Sequence, residues 1–344
     1  VKKIKVGVIG AGYLGRFHLE KYAALDEAEL AGVAEIRPER LEEMAGRFGI
    51  PGFRDFRELL PRVEAVSIVV PTPLHGDIAR VCLDRGVDIL IEKPITSALN
   101  EAEALIGLAR QRGRLIQVGH LERFNPAFLK VRESIQRPLF IESHRLSPFK
   151  ERGIDVNVVL DLMIHDLDLI LHLTGAATGQ VQAVGIPVVS PQVDIANARI
   201  QFDDGAVANI TASRISVKAL RKMRIFQPAA YLSLDFGLKS YSLVRLEKTA
   251  QPPGNGLPFA FEEGQFGDQD ALELELRAFL RAVRERTAPP VTGEDGTRAL
   301  ALALEINRAI EENFSKIQAS WGPDSWPGME TLKTWMDSCG GEPV

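Results

Sequence analysis

Four ionisable residues, Asp161, His165, Asp168 and His172, lie in the apolar run DVNVVLDLMIHDLDLILHL. On a helix their positions, i, i+4, i+7 and i+11, share one face, while the other faces are almost wholly Leu, Ile, Val and Met. A helix that is apolar nearly all round is buried, and ionisable groups inside a protein need a partner, a metal or a wet cleft. Imidazole titrates near neutral pH, so a histidine there suits proton transfer, and a carboxylate one turn earlier suits orienting it. A metal is the other chemistry such side chains serve. Four in a single row, however, extend too far along a helix to surround one ion, and Cys82 and Cys339 lie in no ligand spacing, so no metal is expected.

A second group near the start of the chain completes the chemistry. In GVIGAGYLG, Gly10, Gly12 and Gly15 form G-x-G-x-x-G directly after a predicted strand and at a predicted helix start. Gly10 allows the tight turn, Gly12 the approach of a pyrophosphate, and Gly15 close helix packing, which makes Gly10, Ala11, Gly12, Tyr13, Leu14 and Gly15 a dinucleotide loop. The next strand ends at Glu35, near the spacing expected for the acid that bonds both adenosine ribose hydroxyls. Its charge repels a 2′-phosphate, so NAD is favoured over NADP. Arg37 complicates this, since a cation there can serve a phosphate or stack on adenine. Such a cofactor sits at the carboxyl ends of the strands, where three more segments end. VVPTPLH offers Thr72, Pro73 and His75, IEKPIT offers Glu92 and Lys93, and VGHLERFNP offers His120. Lys93, between a buried strand and a proline, is held extended beside the expected nicotinamide.

These residues need a scaffold. The first 122 residues alternate short apolar runs with helical patterns, which implies a parallel sheet covered on both faces, a Rossmann domain. From about Leu139 consecutive alternating strands imply a second α/β domain, over 123–320, with a large open, mainly antiparallel sheet. Two helical patterns, Gln269 to Arg286 and Thr297 to Phe314, close it, and the Gly-, Pro- and Trp-rich stretch 321–344 has no assignment. The 344-residue chain carries 25% charged residues and a net charge of −5, which gives no basic field for nucleic acid or an anionic membrane. Two cysteines form no disulfide framework, no apolar run is long enough to span a membrane, and the start leads straight into the glycine motif. A cytoplasmic protein is expected.

Taken in order, GVIGAGYLG, TPLH, EKP, DLMIHDLD and PVTGEDGTRAL resemble the Gfo/Idh/MocA family of NAD(P)-dependent sugar and polyol oxidoreductases, over nearly the whole chain to about Phe314. The resemblance implies a Rossmann domain followed by an α/β domain with an open antiparallel sheet. It also implies that Lys93, Asp161 and His165 meet at the nicotinamide and the reacting carbinol. Many members carry a glycine pair before that aspartate, where Val158, Val159 and Leu160 stand here. VGHLERFNPAF and SPFKERGIDVNVVLDLMIHDLDLI are most similar to one branch, whose members oxidise C3 of UDP-N-acetylglucosamine to a 3-keto nucleotide sugar, a step of lipid A and lipopolysaccharide assembly.

On that reading His165 is the general base, Asp161 orients it, and Lys93 bonds the same oxygen, with its pKa lowered by the nicotinamide cation. The order in which Lys93 and His165 take the proton stays open. A diphosphate needs cations or amides, and Arg123, Asn125, Lys150, Arg152 and Asn157 are available, with His120 facing the substrate. Asp168 and His172 are read as structural. Inositol or simple-sugar oxidation is the alternative within the family, and a cofactor-sensing regulator the alternative outside it. A sensor has no need of Lys93 or His165, and both are present. By analogy with exposed sheet faces elsewhere, a homodimer or homotetramer packed through the second sheet is expected.

Overall fold

The structure is a computed structural model and describes residues 2–149, 156–246, 259–267 and 269–321. Two compact units divide the chain, one formed by Val1–Lys130 with Phe266–Ala301, the other by Val131–Gln265 with the chain from Leu302 on.

The first unit is the doubly wound parallel sheet implied by its alternating pattern. Its elements run β1 (Ile4–Ile9), α1 (Tyr13–Ala24), β2 (Ala28–Ala34), α2 (Pro38–Phe48), β3 (Gly52–Phe53), β4 (Ala65–Ile68), α3 (His75–Asp84), β5 (Asp88–Glu92), α4 (Leu99–Arg112) and β6 (Ile116–Gly119). The strand order β3-β2-β1-β4-β5-β6, all parallel, reverses beside β1, and a crevice at such a switch point takes a dinucleotide. Val6, Val8, Val66, Ile68, Ile89 and Ile91 are fully buried, as strands covered on both faces require.

The sequence reading placed the helix after Gln269 in the second domain, but it packs in the first. After the short α5 (Pro126–Val131) the chain leaves this unit and returns later as α7, numbered below in chain order. Leu276, Phe279, Leu280 and Val283 enter the core formed by Val6, Val8, Leu19, Tyr22 and Leu90.

The second unit contains β7 (Phe140–Leu146), α6 (Ile164–Thr174), β8 (Thr178–Ile186), β9 (Ile195–Phe202), β10 (Val207–Ser213), β11 (Leu220–Gln227), β12 (Ala230–Asp235), β13 (Ser240–Leu246) and β14 (Phe259–Gln265). Next come α7 (Ala271–Glu285), in the first unit, and α8 (Gly293–Trp321), within which the division at Ala301 falls. Asp270 caps α7, its carboxylate accepting from the amides of Leu272 and Glu273.

The eight strands form one sheet in the order β14-β13-β12-β11-β7-β10-β9-β8. Every pair is antiparallel except β7 with β10, a parallel step that needs a crossover connection. Burial alternates along the strands: in β9, Ala196, Ala198, Ile200 and Phe202 point inward and Asn197, Arg199 and Gln201 outward.

Candidate active site

The glycine loop has the shape a pyrophosphate requires. Gly10 has φ +92°, and a Cβ there would lie 2.3 Å from the Val69 carbonyl oxygen. At Gly15 a Cβ would lie 1.9 Å from the carbonyl oxygen of Gly10, so α1 starts against the turn only because no side chain is present. Gly12 is different: its Cβ would meet nothing nearer than the Arg37 guanidinium at 3.9 Å, which leaves room above the amino end of α1. The half-exposed Tyr13 and Leu14 flank that space.

Glu35 is nearly buried and heavily bonded. Its Oε2 accepts from the Ala11 amide at 2.9 Å, and both oxygens accept from Arg37, through its backbone amide, Nε and Nη2 at 3.0–3.2 Å. Burial raises the carboxyl pKa, but the Arg37 side chain and the amides of Arg37 and Ala11 outweigh it and hold the group below its ordinary value. The acid expected to meet ribose is thus ionised, and Arg37 touches it directly. A crevice with an ionised acid, a side-chain-free turn and open space at Gly12 fits NAD.

The loops at the other strand ends are tied together by His75. Thr72 and Pro73 form a single 3-10 turn leading into α3, and the buried His75 ring faces two carbonyl oxygens, Nδ1 to Pro94 and Nε2 to Val70, each at 2.9 Å. A neutral imidazole donates through one nitrogen only, and burial pushes this pKa down against the pull of the two carbonyls. The ring expected among the cofactor contacts therefore clamps backbone, joining the loop after β4 to the one after β5. Lys93 follows β5 and is partly exposed, and Glu92 beside it bonds His18.

The sequence offers Arg123 and Asn125 to a diphosphate, and in the fold both also make local bonds. Arg123 is buried with Nη2 3.8 Å from Asp295, and Asn125 Oδ1 accepts from the Ala127 amide at the start of α5. Asp295 and Thr292 cap α8 reciprocally, the Thr292 amide donating to Asp295 Oδ2 at 2.9 Å and the Asp295 amide to Thr292 Oγ1 at 3.2 Å. The PVTGEDGTRAL segment thereby braces β6, with Val118 N bonded to Val291 O, and β6 leads directly to the buried His120.

In the second unit the polar helix opens with a π-helical turn, Val159–Met163, before α6. Asp161 lies in that turn and His165 in the first turn of α6, both partly exposed. Asn157, expected at the substrate, caps the turn, its Oδ1 accepting from the Val159 and Leu160 amides at 3.1 Å. Asp168 is buried and His172 exposed. Among the described residues no group of three or more His, Cys, Asp or Glu is gathered as for a metal. The sequence reading missed Asp166, buried behind His165 and held by Arg145 of β7. An acid off the face shared by Asp161, His165, Asp168 and His172, and so on the apolar side of the helix, was the signal. Lys150 and Arg152 lie outside the described residues.

Residues 4–120 match the model of an oxidoreductase family with an NAD-binding Rossmann fold, and residues 134–228 match the GFO/IDH/MocA C-terminal domain. UDP-N-acetylglucosamine 3-dehydrogenase of Acidithiobacillus ferrooxidans is 41% identical over 90% of this chain and 97% of its own. The chain belongs to the Gfo/Idh/MocA family. As a member it is an NAD-dependent oxidoreductase. A solved structure of the Acidithiobacillus enzyme superposes with a TM-score of 0.84 at 40% identity, covering 91% of this chain and 99% of that one. Myo-inositol 2-dehydrogenase of Thermotoga maritima is 26% identical over 91% of this chain and 98% of its own. At the departure from the Gfo/Idh/MocA pattern, Val158 and Val159 are fully buried where the π turn begins.

Proposed function

We propose that the protein oxidises C3 of UDP-N-acetylglucosamine to the 3-keto sugar nucleotide with NAD, in the cytoplasm. The observation that carries this reading is the 41% identity, over nearly the full length of both chains, to an enzyme named for that reaction, against 26% to an inositol dehydrogenase. NAD, when bound, accepts the hydride from the carbinol carbon. Gly10 to Gly15 hold its pyrophosphate, Glu35 its adenosine ribose, and the Thr72–His75 turn and Glu92–Lys93 segment its other half. His165 takes the hydroxyl proton, Asp161 steadies the resulting imidazolium, and Lys93 donates to the developing alkoxide. His120 and Asn157, with Arg152, serve the sugar nucleotide. A 3-keto sugar of this kind is a substrate for amino transfer, which suits a supply step for lipid A.

Incubation with NAD and a panel of UDP-N-acetylhexosamines, inositol and glucose tests this, with a hydrazine trap because forming a ketone from NAD is uphill. NADH should form with UDP-N-acetylglucosamine. Turnover of inositol or glucose without any of a UDP-sugar would place the protein in the polyol branch.

The outer face of the second sheet supports assembly as a homodimer or homotetramer. Phe140, Phe226, Tyr231, Val244 and Phe261 are successive cross-strand partners, with Phe140–Phe226 and Phe226–Tyr231 ring centroids 5.4 and 5.0 Å apart. Phe261 is 60% exposed, and such a row is disfavoured in water. Phe226→Asp with Phe261→Asp should give monomers in light scattering. An unchanged mass would exclude this face.

A further inference from the structure

The Rossmann unit holds a titratable pair, one member of which, the buried His18, has no role in the proposed mechanism. His18, on α1 and 1% exposed, places Nε2 3.1 Å from Oε1 of Glu92, the residue that ends β5 immediately before Lys93. The Glu92 carboxyl group rests against β6. A Cβ at Gly119 would stand 3.0–3.1 Å from its Cδ and both oxygens. Three elements thus fix one carboxylate: α1 through the ring, β6 through the absence of a side chain, and β5 through the chain itself.

An almost buried carboxyl group without a partner takes up a proton rather than remain charged. Here burial pushes the Glu92 pKa up, but the bond and charge of His18, followed by the charges of Lys93 and of His75 on α3, outweigh it and leave the group below its ordinary value. Glu92 is therefore a fixed negative charge one residue from the lysine that meets the hydroxyl, and its ionisation depends first on His18.

We propose that His18 is a positioning residue for Lys93, acting through Glu92. The ring keeps the carboxylate ionised and in one place, so the neighbouring ammonium keeps a constant counter-charge and orientation as the pH changes. This inference rests on Lys93 acting at the reacting oxygen, as proposed above.

The test compares His18→Leu, which removes the bond, with His18→Gln, whose amide can reach the carboxylate in place of Nε2. kcat and KM are measured between about pH 5 and 9, with NADH affinity and melting temperature recorded for each variant. His18→Leu should lower kcat at least tenfold at neutral pH and move the acid limb of kcat upward by about one pH unit, because Glu92 then protonates more readily. NADH affinity should stay within about threefold and His18→Gln within about threefold in kcat, with its acid limb in place. A limb that does not move in His18→Leu, or His18→Gln falling as far as His18→Leu, would overturn the proposal. If His18→Leu does not fold, Glu92→Gln replaces it: kcat at least tenfold lower across the whole pH range, with NADH affinity within about threefold, supports the proposal, and a profile superimposable on the unmodified enzyme overturns it. Lys93→Met, assayed in parallel, should be inactive. Activity in that variant would remove the role of Lys93 itself, whereas an inactive Lys93→Met with an unmoved His18→Leu profile removes His18 alone.

Discussion

Arg145 grips Asp166 with two parallel bonds, Nε to Oδ2 at 2.7 Å and Nη2 to Oδ1 at 3.1 Å, and both side chains are almost wholly buried. The pair joins α6 to β7 at the residue next to His165, so the sheet sets where that imidazole points. Planar two-point contact fixes orientation as well as distance. Removing one partner from such a buried pair leaves a charge without its counter-ion, whereas an apolar pair of similar volume is tolerated.

Asp166→Ala should therefore cost about 3 kcal/mol of stability, and kcat should fall more than NADH affinity because α6 loses its anchor. Arg145→Met with Asp166→Leu should regain part of the stability but not the activity. Denaturant unfolding and steady-state kinetics on the three proteins check this, and equal recovery of both quantities would mean that the pair does not orient His165.

The anchor also marks how much could be read from residue order. The glycine loop was legible because Gly10 and Gly15 answer to backbone geometry within a few residues, and Glu35 because a strand of ordinary length separates it from the loop. The alternating pattern of β9 likewise gave the open sheet. The bond between Arg145 and Asp166 crosses from β7 to α6, and that between His18 and Glu92 from α1 to β5. Neither leaves a local pattern, because the partners are brought together only by the fold. Arg123 and Asn125 show the opposite difficulty. Their types suit a diphosphate, but a cation near the capping Asp295 and an amide before a helix start are equally suited to structure, and spacing alone does not separate the two uses. Helix α7 went to the wrong unit because its apolar stripe fits either core.

With Glu35 at the adenosine ribose, as proposed, cofactor choice should follow from Glu35 and Arg37. The carboxylate repels a 2′-phosphate, and Arg37 spends its guanidinium on that carboxylate. Glu35→Gln removes the repulsion and releases the cation, so the ratio of kcat/KM for NAD to that for NADP should fall at least tenfold, about 1.4 kcal/mol. Adding Arg37→Ala should cancel most of the gain with NADP. Initial rates with both cofactors decide it, and an unchanged ratio in Glu35→Gln would show that selection lies elsewhere.

Asp194 supplies a pH-dependent contribution to stability in the second unit. It is fully buried and accepts from the amides of Val188, Val189 and Ser190 at 2.7–2.9 Å and from Ser190 Oγ at 2.6 Å. Burial raises its pKa, but these donors outweigh it and depress the folded value. A depressed carboxyl pKa stabilises fully above the unfolded value, about 3.9, and the contribution is lost as pH falls through the folded value. Asp194→Asn should thus be about 2 kcal/mol less stable at pH 7, since charge-assisted bonds are replaced by neutral ones. The deficit should narrow below about pH 4. Melting curves from pH 7 to 3 test the sign: a deficit that stays constant would mean that ionisation of Asp194 contributes nothing.

Asn157 separates a capping role from a substrate role. Its Oδ1 accepts from two amides at the start of the π turn that carries Asp161, so the atom it needs for the cap is a carbonyl oxygen, which aspartate also has. Asn157→Asp keeps the cap and adds a negative charge that favours the amino end of a helix. Asn157→Ala loses the cap, at a cost of about 1 kcal/mol, and lets the turn bearing Asp161 fray. If capping is what Asn157 does for catalysis, Asn157→Asp keeps kcat and KM within about threefold while Asn157→Ala loses kcat about tenfold. If its amide nitrogen instead donates to the sugar nucleotide, Asn157→Asp is the worse of the two, because a carboxylate beside a diphosphate repels it and KM rises. The side-chain oxygen is already committed to the Val159 and Leu160 amides, so the first pattern is expected, and steady-state kinetics of the two variants with UDP-N-acetylglucosamine distinguish them.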